Sequence, residues 1–446
     1  MNTSSNTTNE KPNLYIELVA EQKQISYEKA KQQMDKVFQK YDIDYKEYAE
    51  RKLYKASSYF DRRRRIRTIK ELHHRYIQQV CDDTGWTFQQ AEAAAKEAKE
   101  KYGFSYRTFS TYQFFACTEE EIEAKREQWR QNRKKYRNIV KENTGWKLSK
   151  IKKHMTRYQV LYNIIPAYYV LYKAWELTDE EMDSYARQEL SRRLWGKYNK
   201  LEEARVLGDK LIFDQTYRKY IGRKFWTNVD TSFDQFKDFT EDIDAIFCKP
   251  VNAGGGIGAE KIELDHDEEK LKALYDDFMS KDRVLVEECV KQHPEISAFY
   301  SESINTIRVV VLLHDGICDI LCTGIRFGHH GITDNFSKDG MVADIDKDTG
   351  IIVTPAIDKS GNVYENHPVS GKQFVGFQIP MWNEVIETAK NAIHVQPGVN
   401  YVGWDLAICP DKVVIIEGNS MPDLVLVQAP YAPVREGKKY LFDPYF

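Results

Sequence analysis

Asp405, Glu417 and Asn419, in the stretch GWDLAICPDKVVIIEGNS, place three oxygen donors within fifteen positions of one another. Asp405 sits on one predicted strand, Cys409-Pro410-Asp411-Lys412 reverses the chain, and the KVVIIEGN run returns as a partner strand. Strand side chains alternate with period two, so Glu417 and Asn419 project from one face, and a hairpin of this length brings Asp405 close to Glu417. Hard oxygen ligands at the end of a hairpin, with few competing cations nearby, suit Mg²⁺ bridging the phosphates of a nucleotide.

A second constellation is KPVNAGGGIGAEKI, where a strand ends in Lys249 and a glycine-rich turn follows. Backbone N–H groups of Gly254, Gly255 and Gly256 can approach a triphosphate that side chains would block. A strand, not a helix, comes next, which argues against a P-loop or a dinucleotide fingerprint. The third element is VLVEECV, with Glu295 five residues beyond it. Backbone groups at Glu288, Cys289 and Val290 can meet an adenine edge there, with Glu295 on the ribose hydroxyls.

Taken in this order, the elements resemble the ATP-grasp superfamily over about 210 of the 446 residues. The stretches SINTIRVVV, TDNFSKDGMVADID, HPVSGKQF and GWDLAICPDKVVIIEGNSMPD are most similar to its sugar-transfer-associated, carboxylate–amine ligase-like branch. The resemblance implies an α+β fold of two subdomains clasping ATP, with one or two Mg²⁺ ions. Lys210, in GDKLIFDQTYRKYIG, then corresponds to the first phosphate lysine and Lys249 to the second, with Gly254–Gly256 as the loop over the phosphates. Glu287, Glu288, Cys289 and Val290 correspond to the adenine hinge, Glu295 to the ribose carboxylate, and Asp405, Glu417 and Asn419 to the metal ligands. It further implies attack of a substrate carboxylate on the γ-phosphorus, an acyl phosphate, and amide formation with an amine, in polysaccharide or other surface-glycan synthesis. Both substrates are of unknown identity, with sugar- or peptide-linked groups the candidates. A kinase acting on a hydroxyl and a nucleotide-regulated scaffold are the alternatives.

This chain departs from the pattern at Gly403, where D-alanine–D-alanine ligase-like members carry an arginine two residues before the metal aspartate. Arg308 or Arg326 must then act as the catalytic cation on the transferring phosphoryl group. Each also has a plain alternative as an ion pair within the sheet. His329 and His330 lie in a glycine-flanked turn and read as non-catalytic, and Asn305 and Asn335 suit strand-end or turn hydrogen bonds as well as phosphate contact.

The elements that must position these groups follow from the texture after residue 200. Short β-branched runs (AIFCKPV, RVLVEECV, TIRVVVLL, DILCTGIRF, GIIVTPAI, KVVIIEGN) predict a largely antiparallel sheet, with helices near 208–221, 266–280 and 381–394. Cys318 and Cys322, four apart in one run, are expected on one strand face as buried small apolar groups.

The first half differs. Ser26–Tyr48 aligns without gaps on Thr87–Phe109 and more weakly on Lys147–Tyr169, and TGW recurs at 84–86 and 144–146. This predicts an all-α array of three units of about 60 residues, near 25–80, 86–140 and 146–200. Ala91, Ala95, Ala98 and Tyr102 share one helical face. Asp44 with Glu47, Thr118 with Glu121, and Thr178 with Glu181 have capping-box spacing. Tyr158, Tyr162, Tyr168, Tyr169 and Tyr172 read as helix–helix core. Arg62 to Arg65 with Arg67 read as a solvated helix face, with docking of an anionic substrate or partner as the alternative.

Composition sets the frame. Residues 1–200 hold 40 Lys+Arg against 28 Asp+Glu and residues 201–446 hold 25 against 40, so halves of +12 and −15 make up the net −3. That asymmetry predicts a helical domain over 14–200 and a catalytic domain over 201–446, after a polar, disordered tail at 1–13. Seven scattered cysteines make neither a disulfide framework nor a zinc site. No segment reads as a signal peptide or a membrane span, which predicts a cytoplasmic protein.

Overall fold

The computed structural model describes residues 12–251, 258–336 and 340–446. Most of the expected N-terminal tail and all of Gly254, Gly255 and Gly256 therefore lie outside the described residues. The chain divides into two compact units, one ending at Pro166 and the other running from Ala167 to Phe446.

The first unit is helical. Helices of 15 residues at Tyr27–Tyr41, Phe88–Tyr102 and Leu148–Tyr162 each end on a left-handed residue, Asp42, Gly103 and Asn163. Those three residue types tolerate positive φ better than most and so stop a helix cheaply. Six-residue helices start at Tyr45, Tyr106 and Pro166, and 26-residue helices span Tyr59–Thr84 and Glu119–Thr144. Ala91, Ala95 and Ala98 are buried with Ile77, Val80 and Phe109. Thr118 forms a reciprocal capping box with Glu121, and in the second unit Thr178 forms one with Glu181. Asp44 makes only half of one. It accepts from the Glu47 backbone N–H at 2.8 Å, but the Glu47 carboxylate turns to Nε2 of His73 at 2.9 Å, away from the negative cap. In the arginine run, Arg64 and Arg65 pair with Asp61 on their own helix, and Arg63 and Arg67 are exposed.

The second unit contains two antiparallel sheets, the α+β arrangement the strand pattern implies. Four strands, β1 (Phe225–Thr227), β2 (Ala245–Pro250), β3 (Glu260–Glu263) and β4 (Val284–Glu288), lie in the order β1-β4-β2-β3. The other seven are β5 (Ile307–His314), β6 (Ile317–Phe327), β7 (Met341–Asp344), β8 (Ala356–Asp358), β9 (Val363–Tyr364), β10 (Tyr401–Ile408) and β11 (Val413–Asn419), in the order β11-β10-β5-β6-β7-β8-β9. The GIIVTPAI run is not one strand: Ile351 and Ile352 make isolated bridges, Pro355 interrupts the run, and β8 begins only at Ala356.

Strand β5 shows why its sequence lacks alternation. Val309 and Val311 enter the main core with Trp404 and Phe327, while Val310 and Leu312 enter a second core with Leu190, Leu194 and Tyr401. Both faces are covered, so both must be apolar. The second core also takes in chain from before residue 200. Leu190 and Leu194 sit on the helix Gln188–Tyr198, so this segment, which lies before the charge-based boundary at 200, packs with the sheet.

Cys318 and Cys322 do not share a face. The β5–β6 register slips between Val310 and Val311, whose partners are Cys322 and Ile320, leaving Leu321 as the extra residue. A bulge reverses the alternation beyond it. Cys322 is buried in the second core, and Cys318 packs against the main one.

Candidate active site

Strand β10 lies between β11 and β5, so Asp405 has Glu417 as its direct partner on one side and Arg308 on the other. Directly opposed residues of antiparallel strands point to the same face. The β10–β11 register shifts after Asp405, with Leu406 pairing Ile415, so a bulge adjoins the Asp405–Glu417 pair.

Asp405 is fully buried. Arg308 donates from Nε to Oδ1 at 2.5 Å and from Nη2 to Oδ2 at 3.0 Å, and Arg326 donates from Nη2 to Oδ2 at 2.8 Å. Burial alone would raise the Asp405 pKa, but Arg308 and then Arg326 outweigh it and hold the carboxyl well below the usual range. Glu417 shifts the other way. Solvent reaches it, yet the protein packed around its carboxylate, followed by the Asp405 charge, pushes its pKa up. Asn419 donates its amide to Glu417 Oε1 at 3.3 Å, a bond that does not use its own amide oxygen.

Arg326 is also buried. Its Nε and Nη2 both donate to Thr306 Oγ1, at 2.9 and 2.6 Å, and Asp334 lies 3.4 Å from Nε. Both arginines are therefore ion-paired within the sheet and adjoin the expected metal group as well.

The lysines come from the other sheet and the helix in front of it. Lys210 opens the helix Lys210–Thr216 and donates to the backbone oxygens of Pro250 and Val251 at 3.3 and 3.1 Å. Its pKa is lowered by burial first and Lys249 second, with Glu417 and Glu287 opposing. Lys249, at the end of β2, is paired with Glu287. Residues from both sheets thus share one electrostatic neighbourhood.

The segment Glu287–Val290 ends β4 and leads out of the small sheet. Glu287 is buried, and its carboxylate is bound by Lys249 and Arg223. Arg223 and Lys249 hold its pKa down despite burial, and the neighbouring Asp214, with less cationic support, is pushed up by burial and the Glu287 charge. The backbone N–H groups of Glu288 and Cys289 donate to Lys224 O and Ala245 O. Val290 lies beyond the ladder and packs near Ala407, Cys409 and Val414. Burial raises the Cys289 thiol to about 11, which keeps it a neutral thiol. Glu295 is exposed, and its backbone oxygen accepts from Lys372 Nζ at 2.7 Å.

Asn305 is a structural hub. Its Nδ2 donates to Gln292 Oε1 and Tyr300 O, both at 2.9 Å, and its Oδ1 accepts from Gly328 N–H at 3.2 Å. Asn335 closes a turn, its backbone oxygen accepting from Gly340 N–H at 3.0 Å.

Arg223 was not legible as a site residue. Besides Glu287 it donates to Ile415 O at 2.8 Å and Ile416 O at 3.3 Å, joining β4 to the backbone of β11 beside the Asp405 hairpin. Nothing local distinguishes this arginine in KYIGRKF; its partners are 64 and 192 residues away.

Among the described residues, no group of three or more His, Cys, Asp or Glu side chains is arranged to hold a metal ion, so a cation here would depend on two carboxylates and the Asn419 amide. That donor set is all oxygen, as Mg²⁺ requires, and Asp405 Oδ1 takes a single guanidinium bond, which leaves it accepting capacity. No helix among the described residues is long and apolar enough to cross a membrane.

Residues 189–438 match the family model described as sugar-transfer associated ATP-grasp. No curated protein matches the chain in sequence. Solved structures similar to it include D-alanyl-alanine synthetase A from Vibrio cholerae, at 15% identity over 55% of this chain and 65% of that one, with a TM-score of 0.33. The D-alanine–D-alanine ligase from Bacillus anthracis complexed with ATP aligns at 12% identity over 55% and 66%, with a TM-score of 0.34. N5-carboxyaminoimidazole synthetase from Staphylococcus aureus complexed with ADP aligns at 13% identity over 50% and 48%, with a TM-score of 0.32. The chain spans less than two thirds of the length of each of these solved chains.

Proposed function

Because the chain belongs to the sugar-transfer-associated ATP-grasp family, we propose that it is an ADP-forming carboxylate–amine ligase. The observation that carries this reading is the convergence of Lys210 and Lys249 from one side with Glu417 and the Asp405–Arg308–Arg326 group from the other. Cations flanking two carboxylates suit a polyphosphate held through a divalent ion.

Asp405, Glu417 and Asn419 would hold Mg²⁺, which would supply neutralisation of the nucleotide's phosphate charge. Lys210 and Lys249 bind phosphate oxygens. Lys249 is oriented by Glu287, which Arg223 fixes in turn. Arg308 and Arg326, locked by Asp405 and Thr306, present fixed positive charge to the transferring phosphoryl group. A substrate carboxylate attacks the γ-phosphorus to give an acyl phosphate and ADP, and an amine then displaces phosphate. Gly254, Gly255 and Gly256 are assigned to the phosphate loop, Val290 and the segment Glu287–Cys289 to the adenine side, and Glu295 to the ribose.

The helices before residue 200 are read as three related units that dock an anionic substrate or a partner protein. Recurrence of the 15-residue helices and their left-handed caps supports the repeat. The amide, the surface-glycan context and a cytoplasmic setting rest on the family resemblance and belong to the same proposal.

The test is ADP release from Mg-ATP with pooled carboxylates and amines, read with the product mass. Release that needs both pools, a product joined with loss of water, and loss of turnover in Glu417→Gln are expected. Normal turnover in Glu417→Gln would sink the assignment. Phosphate gain on one hydroxyl substrate would indicate a kinase.

A further inference from the structure

The first turns of the helix Tyr59–Thr84 carry two exposed aromatics and a dense set of cations. Phe60 is 81% exposed, more than any other large apolar side chain among the described residues, and Tyr59 beside it is also exposed. Between positions 59 and 71 the chain holds Arg62, Arg63, Arg64, Arg65, Arg67 and Lys70 against two acids, Asp61 and Glu71. Phe60, Arg63, Arg64 and Arg67 fall at i, i+3, i+4 and i+7, so an apolar tip and three guanidinium groups share one helical face. All four are exposed, while Ile66 and Ile69 bury the other side of the helix in the core of the unit.

Building the helix does not call for these residues. The helix Glu119–Thr144 has the same 26-residue length and the same kind of start: Ser58 Oγ accepts from the Asp61 N–H at 3.1 Å, and Thr118 Oγ1 accepts from the Glu121 N–H at 3.2 Å. Glu119 and Glu120 stand there in the places of Tyr59 and Phe60, and Ile122 and Glu123 in those of Arg62 and Arg63. Acids suit the positive end of a helix dipole and arginines oppose it, so the first helix departs from its counterpart against intrinsic preference. The positive charge is only partly answered nearby. Asp61 takes Arg64 and Arg65, and Glu71 lies 3.7 Å from Arg67. Burial, then the charges of Arg62 and Lys29, lowers the pKa of Lys23 on a neighbouring helix, as a local excess of cations would.

The chemistry of the patch selects its partner. The Arg63 guanidinium lies over the Tyr59 ring, 5.2 Å from its centroid, and the Tyr59 and Phe60 rings meet edge to face at 5.9 Å. The guanidinium therefore covers a ring face on which a nucleic-acid base would stack. Phe60 has no polar atom, so a small soluble anion held by the arginines would leave it in water. An anionic bilayer serves both kinds of group, with negative charge at headgroup level for guanidinium groups and an acyl boundary just below for an aromatic tip.

We propose that this face docks the protein on an anionic lipid surface, with Arg63, Arg64 and Arg67 among the lipid phosphates and Phe60 inserted beneath them. The contact is peripheral and reversible, because a single aromatic tip and a basic patch are each too weak to anchor a protein alone. Docking at this face does not depend on the ligase chemistry, so either can hold without the other.

The test sediments the full-length protein with vesicles of phosphatidylcholine alone and of phosphatidylcholine with about one third phosphatidylglycerol. At about 0.1 M salt, wild type is expected to bind the anionic vesicles at least about tenfold more than the neutral ones, and to be released at about 1 M, where the screening length falls to about 3 Å. Phe60→Ser keeps every charge and should weaken binding about tenfold, through the lost apolar contact. Arg63→Glu combined with Arg67→Glu should abolish it. These positions are exposed, so melting should match wild type in both variants. Lys134→Glu combined with Lys135→Glu makes the same charge change on the exposed side of the helix Glu119–Thr144 and should bind within about twofold of wild type. Wild type that ignores anionic vesicles or binds neutral ones equally overturns the proposal. So does full binding by Phe60→Ser, or an equal loss in the Lys134 and Lys135 variant. A duplex oligonucleotide that displaces the vesicles at equal phosphate concentration overturns it in favour of nucleic acid.

Discussion

The side chain of Arg308 on β5 crosses beside Gly403 to grip both carboxylate oxygens of Asp405 on β10. Its Cδ lies 3.2 Å from where a Cβ at position 403 would stand. The glycine that departs from the arginine-bearing pattern of D-alanine–D-alanine ligase-like relatives is thus the position an arginine on the adjacent strand uses. A cation still lies next to Asp405, and a different strand delivers it.

Removing that cation should damage both stability and turnover. Arg308→Ala leaves Asp405 buried with Arg326 as its remaining partner, and breaking a buried pair in this way costs about 3–5 kcal/mol. Arg308→Lys keeps the charge but not the fork, so it should recover part of the unfolding free energy and little of the ADP release. Urea melting and ADP-release assays on the two variants would reveal whether the losses separate.

Gly403→Ala is expected to act through packing. The added methyl would stand 2.7 Å from Pro422 Cβ as well as crowding Arg308, so something must move. Overpacking of this kind costs about 1–3 kcal/mol. A melting midpoint unchanged from wild type would mean that the space is freer than these distances indicate.

Asp214 and Asp405 should make opposite contributions to the pH dependence of folding. Asp214 is raised by burial and by the charge of Glu287 beside it. Its contribution is fully present below about pH 3.8, its ordinary value, and is lost as pH rises through the raised one. Asp405 is depressed, so its contribution is present above that ordinary value and is lost as pH falls through the depressed one. Asp214→Asn, which keeps a neutral donor beside Glu287, should therefore gain stability over wild type at pH 8 and lose that advantage by pH 4. Urea titrations across this range would expose a wrong sign directly.

Asn305→Ala should affect folding before chemistry. It strips the Gly328 N–H, Gln292 and the Tyr300 carbonyl of a buried partner, at about 1–3 kcal/mol for each group left unsatisfied. The KM for ATP should stay near wild type in protein that remains folded. A large KM change with unchanged melting would assign Asn305 to the nucleotide instead.

By itself the sequence determined the features that depend on near neighbours. The Asp405–Glu417 hairpin follows from a four-residue turn and period-two alternation. The helix stops at Asp42, Gly103 and Asn163 follow from residues that tolerate positive φ, and the expected helix near 266–280 appears as Glu268–Ser280 behind its Asp267 cap. Strand order was not legible, because which strands become neighbours depends on packing across the whole unit. Once β10 lies between β11 and β5, Arg308 must meet Asp405 across 97 residues of chain, and Arg223 reaches Glu287 and the β11 backbone. Bulges add a second decision of the tertiary structure. One extra residue in β6 moved Cys318 and Cys322 to opposite faces, a slip that periodicity cannot register because each half of the run still alternates correctly.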